Sequence, residues 1–301
     1  VSPLRDILLV ARYELGGATR TRLFQLVVAA YLLGLGFSVW VFTEIVGRME
    51  SALAETMGVP ATRTPGAMLG QLQEDGQLAS VIEGVAGSEE AARALLDQPA
   101  LGLWVGGAAM FLLPVVMIAA TSPAVAGEVH TRSIRYLLVR TGRPAIAMGK
   151  LLGQLAVVAA AGLAGVGLAW ALGMVLMVGN PPAALAWTLL VRTTLGFLYA
   201  LPFAGMGMAA SMSVANPHVA RVLGGAFLVL SPVVAWGLEL HAGTDLLGRL
   251  ADLGSLAWPN ALWTAYWGQP AVEVVGATFH GVVIGLVWFA LGLAVFQRRN
   301  L

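Results

Sequence analysis

LLGQLAVVAAAGLAGVGLAWALGMVLMV, residues 151–178, runs for 28 residues without a charge. Its apolar residues follow one another instead of alternating, and the run is far longer than a strand, so it reads as a helix. A helix rises about 1.5 Å per residue, and a bilayer core of roughly 30 Å needs about 20 apolar residues. This stretch exceeds that length. Five others meet it: 23–43, 101–121, 183–212, 222–240 and 274–296. Within all six, only Arg192 and Glu239 carry charge. Inside hydrocarbon each backbone amide must bond within its own segment, which again selects helices. The 301-residue chain as a whole is 58% hydrophobic and 11% charged, with mean hydropathy +0.81, too little charge to cover a soluble surface. The expected fold is an all-α membrane protein with six transmembrane helices.

The arginines orient it. Segments 1–22, 122–150, 213–221 and 297–301 alternate with the spans so as to fall on one side. They hold 12 of the 17 basic residues, opposed only by Asp6, Glu14 and Glu128. The segment 44–100 instead holds nine acids against Arg48, Arg63 and Arg93. Loops rich in Lys and Arg stay in the cytoplasm, which places both termini there. Leu4, Ile7, Leu8 and Ala11 recur at helical spacing among charges, predicting an amphipathic helix over 3–18 that lies on the cytoplasmic interface. The first span, preceded by Arg5, Arg12, Arg20 and Arg22, reads as an uncleaved anchor. Residues 44–100 are too polar for lipid and of helical composition over 66–94, with a helix start at Ser88-Glu89-Glu90, so a small helical extracytoplasmic insertion is expected. The outer loop 241–270 carries Trp258, Trp263, Tyr266 and Trp267, rings that favour the headgroup level.

Catalytic chemistry is not in view. The one phosphate-loop lookalike, Gly142 to Gly149-Lys150, has six residues between its glycines instead of four. Leu151 also stands where a magnesium-binding Ser or Thr is required. His130, His218, His241 and His280 are scattered, and the chain has no cysteine, so no metal site is expected. Nor are a catalytic residue, a resident cofactor or a nucleic-acid partner expected. Two polar residues lie within spans. Arg192 is either a pathway residue paired with Glu44, Glu239 or Glu273, or a side chain snorkelling to the outer interface from a span that begins at Thr193. His280 is a second pathway candidate or a hydrogen-bonded helix contact. The glycine pairs Gly102/Gly106, Gly149/Gly153 and Gly281/Gly285 suit close helix approach, in a tight bundle that pairs with a second copy.

The segment 127–150 carries the most information. Ile134, Leu137 and Leu138 fall on one helical face, with Arg132, Arg135 and Arg140 supplying charge. Such a helix suits docking in a partner's groove, or lying on anionic lipid. Here the chain resembles the ABC type-2 permease family, the membrane subunits of ATP-binding-cassette exporters. Members carry Gly-Glu, Gly-Thr-Leu, a Leu-Leu pair, Pro-x-x-Arg and a Gly-Lys opening the third span. Gly127-Glu128, Ile134, Leu137-Leu138, Arg143 and Gly149-Lys150 occupy those places, while Arg132-Ser133 replaces the Gly-Thr and Thr141 the proline. Ala11-Arg12-Tyr13-Glu14-Leu15 and Phe296-Gln297-Arg298-Arg299-Asn300-Leu301 are similar to the family's start and finish. The size of the first outer loop resembles permeases that serve nitrous oxide reductase maturation.

The resemblance implies a homodimer in a bacterial inner membrane, bound to two ATPase subunits that hold the ATP and Mg. It implies coupling through a helix near 129–140, with Glu128, Arg132, Ile134, Arg135, Leu137, Leu138 and Arg143 as contact residues. Asn216 and His218 form a second contact. A stand-alone secondary transporter and a non-transporting anchor that acts on an outer protein are the competing readings. A single cysteine placed at Arg140 of this cysteine-free chain should react with an impermeant thiol reagent from the cytoplasmic face only. Labelling from the periplasmic face alone would invert the topology.

Overall fold

The computed structural model describes residues 3–18, 20–58, 64–68, 95–240, 258–267 and 271–299, and those residues contain helix and turn without strand. The expected helix start at Ser88-Glu89-Glu90 and most of the outer insertion lie outside the described residues. Helix α1 covers Pro3–Ala18 and α2 covers Arg22–Met57. Next come α3 (Ala100–Thr121), α4 (Ala126–His130), α5 (Ile134–Leu138), α6 (Arg143–Leu176), α7 (Pro182–Ser213), α8 (Pro217–Glu239) and α9 (Ala271–Arg298). Six of these, α2, α3, α6, α7, α8 and α9, are long and apolar enough to cross a membrane. Several outrun their apolar cores. Helix α2 continues through Met57 and closes on Gly58 in the left-handed region, so residues 44–57, the start of what reads as polar loop, are helix. Helix α6 begins at Arg143, which puts Lys150 inside it.

Helix α7 is the centre, packed along α3 and α9 and touching α6 and α8. Lipid offers no hydrophobic drive between helices, so backbone approach must supply the cohesion. A methyl on Gly205 of α7 would stand 2.0 Å from the carbonyl oxygen of Gly285 on α9. Each glycine pair read from the sequence is filled by a helix of the same chain. Thr188 and Arg192 of α7 lie on Gly102 and Gly106, Val10 and Glu14 of α1 on Gly149 and Gly153, and Pro202 on Gly281 and Gly285.

At the end away from the termini, Glu50 is buried and its carboxylate accepts from the amides of Gly66 (3.0 Å) and Met68 (2.7 Å). Val178 N–H in turn donates to Pro65 O at 3.0 Å, seating residues 64–68 on the α6–α7 connection. Residues 259–266 form two 3-10 turns. Their aromatics do not all face outward. Tyr266 and Trp267 turn into the bundle, where Tyr199 meets Phe203, Trp263 and Tyr266 edge-on at 5.5–5.8 Å. Edge-to-face pairs of this kind add about 0.5–1.5 kcal/mol each beyond the area they bury.

The amphipathic helix expected near 129–140 is broken into α4 and α5. Arg132 sits between them at φ 61, and Thr131 Oγ1 donates to Gly127 O while Ser133 Oγ donates to Glu128 O. Hydroxyls that bond local carbonyls compete with helix continuation, and the left-handed residue turns the chain. The break falls where the resembling family carries glycine. Replacing Arg132 with Gly should therefore raise stability by about 1 kcal/mol, read as a higher thermal midpoint in detergent, whereas Arg132→Ala should give no such gain. An unchanged midpoint for the glycine variant would show that the turn carries no strain.

Candidate functional site

Three segments remote in sequence meet at the end of the bundle that bears the termini. Gly149 and Gly153 present a bare strip one turn long on α6, and α1 lies in it so closely that a methyl on Gly149 would stand 2.7 Å from Ile7 O. Lys150 and Gln154 follow each glycine by one position, so they too form an i, i+4 pair, facing the α1 that the glycines admit. Lys150 Nζ reaches Glu14 Oε2 at 2.7 Å, and Gln154 Nε2 donates to Glu14 Oε1 at 2.7 Å. From the other side α4 brings Glu128 Oε1 to 2.7 Å from the same Nζ. Lys150 exposes 3% of its side chain, Glu14 14% and Glu128 20%. A buried ammonium is tolerable only with such partners, and short charge-assisted bonds on two sides supply them. The start of α4 is fixed separately, because Ser211 Oγ of α7 accepts from the amides of Val125 (2.8 Å) and Ala126 (3.1 Å).

A second lock ties the tail to the same end. Arg143 donates to the carbonyls of Phe296 (2.7 Å), Gln297 and Arg299 (2.9 Å), and its guanidinium lies 5.6 Å from the Phe296 ring centroid. Arg299 donates to Met212 O (3.1 Å) and Val214 O (3.0 Å). These carbonyls are at the C-terminal ends of α9 and α7, where helices leave acceptors unpaired and favour cations.

The family model described as ABC-2 family transporter protein matches residues 8–301. The chain belongs to this family. No curated protein matches it. Membrane proteins of the ABC-2 family work with ABC ATPase partners, and the chain fits a permease subunit of an ABC transporter.

Within this ABC-2 protein the candidate residues divide by where they face. Ile134 is 1% exposed, and Leu137 and Leu138 are packed against the core, so the apolar face expected to dock outward points into the bundle. Glu128 is turned inward onto Lys150, and Arg143 is spent on the tail. Arg132 and Arg135 are exposed, with Tyr136 at 81% and Val139 at 85% beside them. Asn216 accepts from the His218 amide at 2.8 Å as the N-cap of α8, and both are exposed.

At the opposite end Arg192 is 5% exposed, and its Nε and Nη2 donate to Gln98 Oε1 at 3.1 and 2.9 Å, with Trp267 at 6.0 Å. It therefore neither snorkels free nor joins Glu44 or Glu273, which are both exposed. The side chain of Glu239 lies outside the described residues. His280 is half-buried on α9, and no hydrogen bond or ion pair joins it to Arg192 among the described residues.

Sequence reasoning missed the roles of Glu14, Lys150, Gln98, Ser211, Tyr136 and Val139. The parallel spacing of Gly149/Gly153 and Lys150/Gln154 was the available signal for the first two. Lys150→Met should leave two carboxylates facing each other without a cation. Stability should fall by about 3–5 kcal/mol, and protease cleavage within residues 3–18 should rise as α1 detaches. Cleavage and midpoint at wild-type levels would show that the lock contributes nothing to α1 docking.

Proposed function

We propose that the chain is the permease subunit of an ATP-driven exporter in a bacterial cytoplasmic membrane, with both termini and the α4–α5 elbow in the cytoplasm. Two copies pair, and two separate ATPase subunits supply ATP and Mg chemistry from below. The chain itself catalyses nothing. The observation that carries this reading is the contrast at the terminal end: nearly every motif residue is locked inward, while Tyr136 and Val139 project with Arg132, Arg135 and Arg140 around them. Exposed aromatic, aliphatic and arginine side chains on a short rigid projection are the composition of an interface anchor. Asn216 and His218, exposed at the start of α8, form the second contact. Closure of the ATPases switches the bundle only if they bind its two states with different affinity. A stand-alone ion-coupled transporter is disfavoured, because Arg192 is held by a neutral amide and, among the described residues, is not joined to a titrating partner.

One feature favours a mechanical variant of this function, of the kind that serves nitrous oxide reductase maturation. Helix α2 extends beyond its apolar run to Met57, and its Glu50 anchors residues 64–68, giving the outer segment a fixed base on which a second protein could bear.

Purification in mild detergent should recover a Walker-motif ATPase with the wild-type chain. Tyr136→Ala combined with Val139→Ala should lower that recovery about tenfold or more while leaving the protein in the membrane, as expected for loss of two anchor residues. Recovery of no ATPase by the wild type would overturn the reading. Full recovery by the double variant would remove the tip from it.

A further inference from the structure

A cavity of about 430 Å³ opens beside the lysine lock, between the starts of α2 and α8 and the end of α3. Its walls are apolar: Phe24 and Val27 from α2, and Ala119, Ala120 and Ala124 from the end of α3 and the turn after it. Its polar end holds Glu14, Glu128, Lys150 and Arg221, two negative and two positive charges. The two positives do not both serve the two negatives. Lys150 is shared by both carboxylates, and among the described residues the contact made by Arg221 is to His218 Nδ1, at 3.4 Å. In consequence Glu128 Oε2 and Arg221 Nε are buried with no hydrogen-bond partner among the described residues.

We propose that this cavity binds the headgroup of a phospholipid that carries a primary ammonium and a phosphate, drawn from the leaflet on the side of the termini. The lining sums to zero charge, which favours a zwitterion over a bare anion or cation. The phosphate goes to Arg221, whose planar fork suits it. The ammonium goes to Glu128 Oε2, the oxygen that Lys150 leaves free. A quaternary ammonium has no N–H to give that oxygen, so a choline headgroup is rejected. The acyl chains follow the apolar walls to the lipid-facing surface, where Leu26 and Val222 are exposed. A buried donor and a buried acceptor left unpaired are costly, and one headgroup satisfies both. The proposal needs a bilayer but no ATPase, so it stands or falls apart from the export reading.

The test uses the full chain, delipidated in detergent, with native mass spectrometry after adding dioleoyl phosphatidylethanolamine, phosphatidylcholine or phosphatidylglycerol. The ethanolamine lipid should bind about tenfold more tightly than either other, the margin of one charge-assisted hydrogen bond. Arg221→Gln should weaken all three lipids alike, because each carries the phosphate that this side chain holds. Ala119→Phe should abolish binding by filling the cavity without touching a charge, which keeps the test independent of the lock. Equal binding of the three lipids would overturn the proposal, as would undiminished ethanolamine-lipid binding in both variants. So would disulfide formation between copies through a cysteine at Ala119, since a second copy would then cover the cavity.

Discussion

A lysine buried at the end of a membrane bundle cannot hold its charge alone, and that constraint organises one end of this protein. Lys150 sits inside α6, 2% exposed, where water no longer solvates the ammonium. Two carboxylates must come to it, and each belongs to a different element. Glu14 can arrive only if α1 folds back along α6, which the bare strip of Gly149 and Gly153 permits. Glu128 can arrive only if the chain turns sharply after α3, and Ser211 holds that turn by capping α4. Helix α1, the elbow and α6 are thus positioned by one side chain together with the two glycines beside it.

The consequence for the proposed function is mechanical. A projection transmits force only if its base does not yield, and the base of the α4–α5 elbow is held from several directions. Ile134 is seated in the core, Glu128 is pinned to Lys150, and Arg143 grips the last turn of α9. Residues that resemble the coupling motif of the family are for the most part this base. The side chains left exposed there are the remainder, Tyr136 and Val139 with the arginines around them. On the proposed function, the motif marks the coupling element by building its base instead of its contact surface.

The hydrocarbon constraint made the spans legible. Apolar runs of sufficient length can only be helices, so α3 and α7 begin and end within a residue or so of the runs 101–121 and 183–212. The polar ends were less legible for a definite reason. Helices α2, α6 and α8 continue past their apolar stretches, and nothing in composition separates a helical extension from a loop. The direction of the α5 face was also hidden. Periodicity shows that Ile134, Leu137 and Leu138 share a side, but whether that side meets a partner or the protein's own core depends on where α3 and α6 stand. Likewise Arg192 could be recognised as costly, but its partner Gln98 is 94 positions away and neutral, and a search for opposite charge passes over it.

Helix α7 joins these two ends. Its 32 residues span about 48 Å at 1.5 Å per residue. Near one end Ser211 caps the elbow, and Arg299 holds the carbonyl of Met212. Midway, Gly205 lies against the backbone of α9 with no room to slip. Towards the other end Arg192 is held by Gln98 just before α3 and stands beside Trp267. Close-packed interfaces of this kind shift as units and do not deform continuously, because a sub-ångström displacement already costs contact energy. Ser211 therefore ties the elbow to α7, the Gly205–Gly285 contact ties α7 to α9, and Arg192 ties α7 to the far end of α3 and to the 258–267 turns. The polar groups at the two ends are the handles of one rod, and the glycines between them keep it in register with its neighbours.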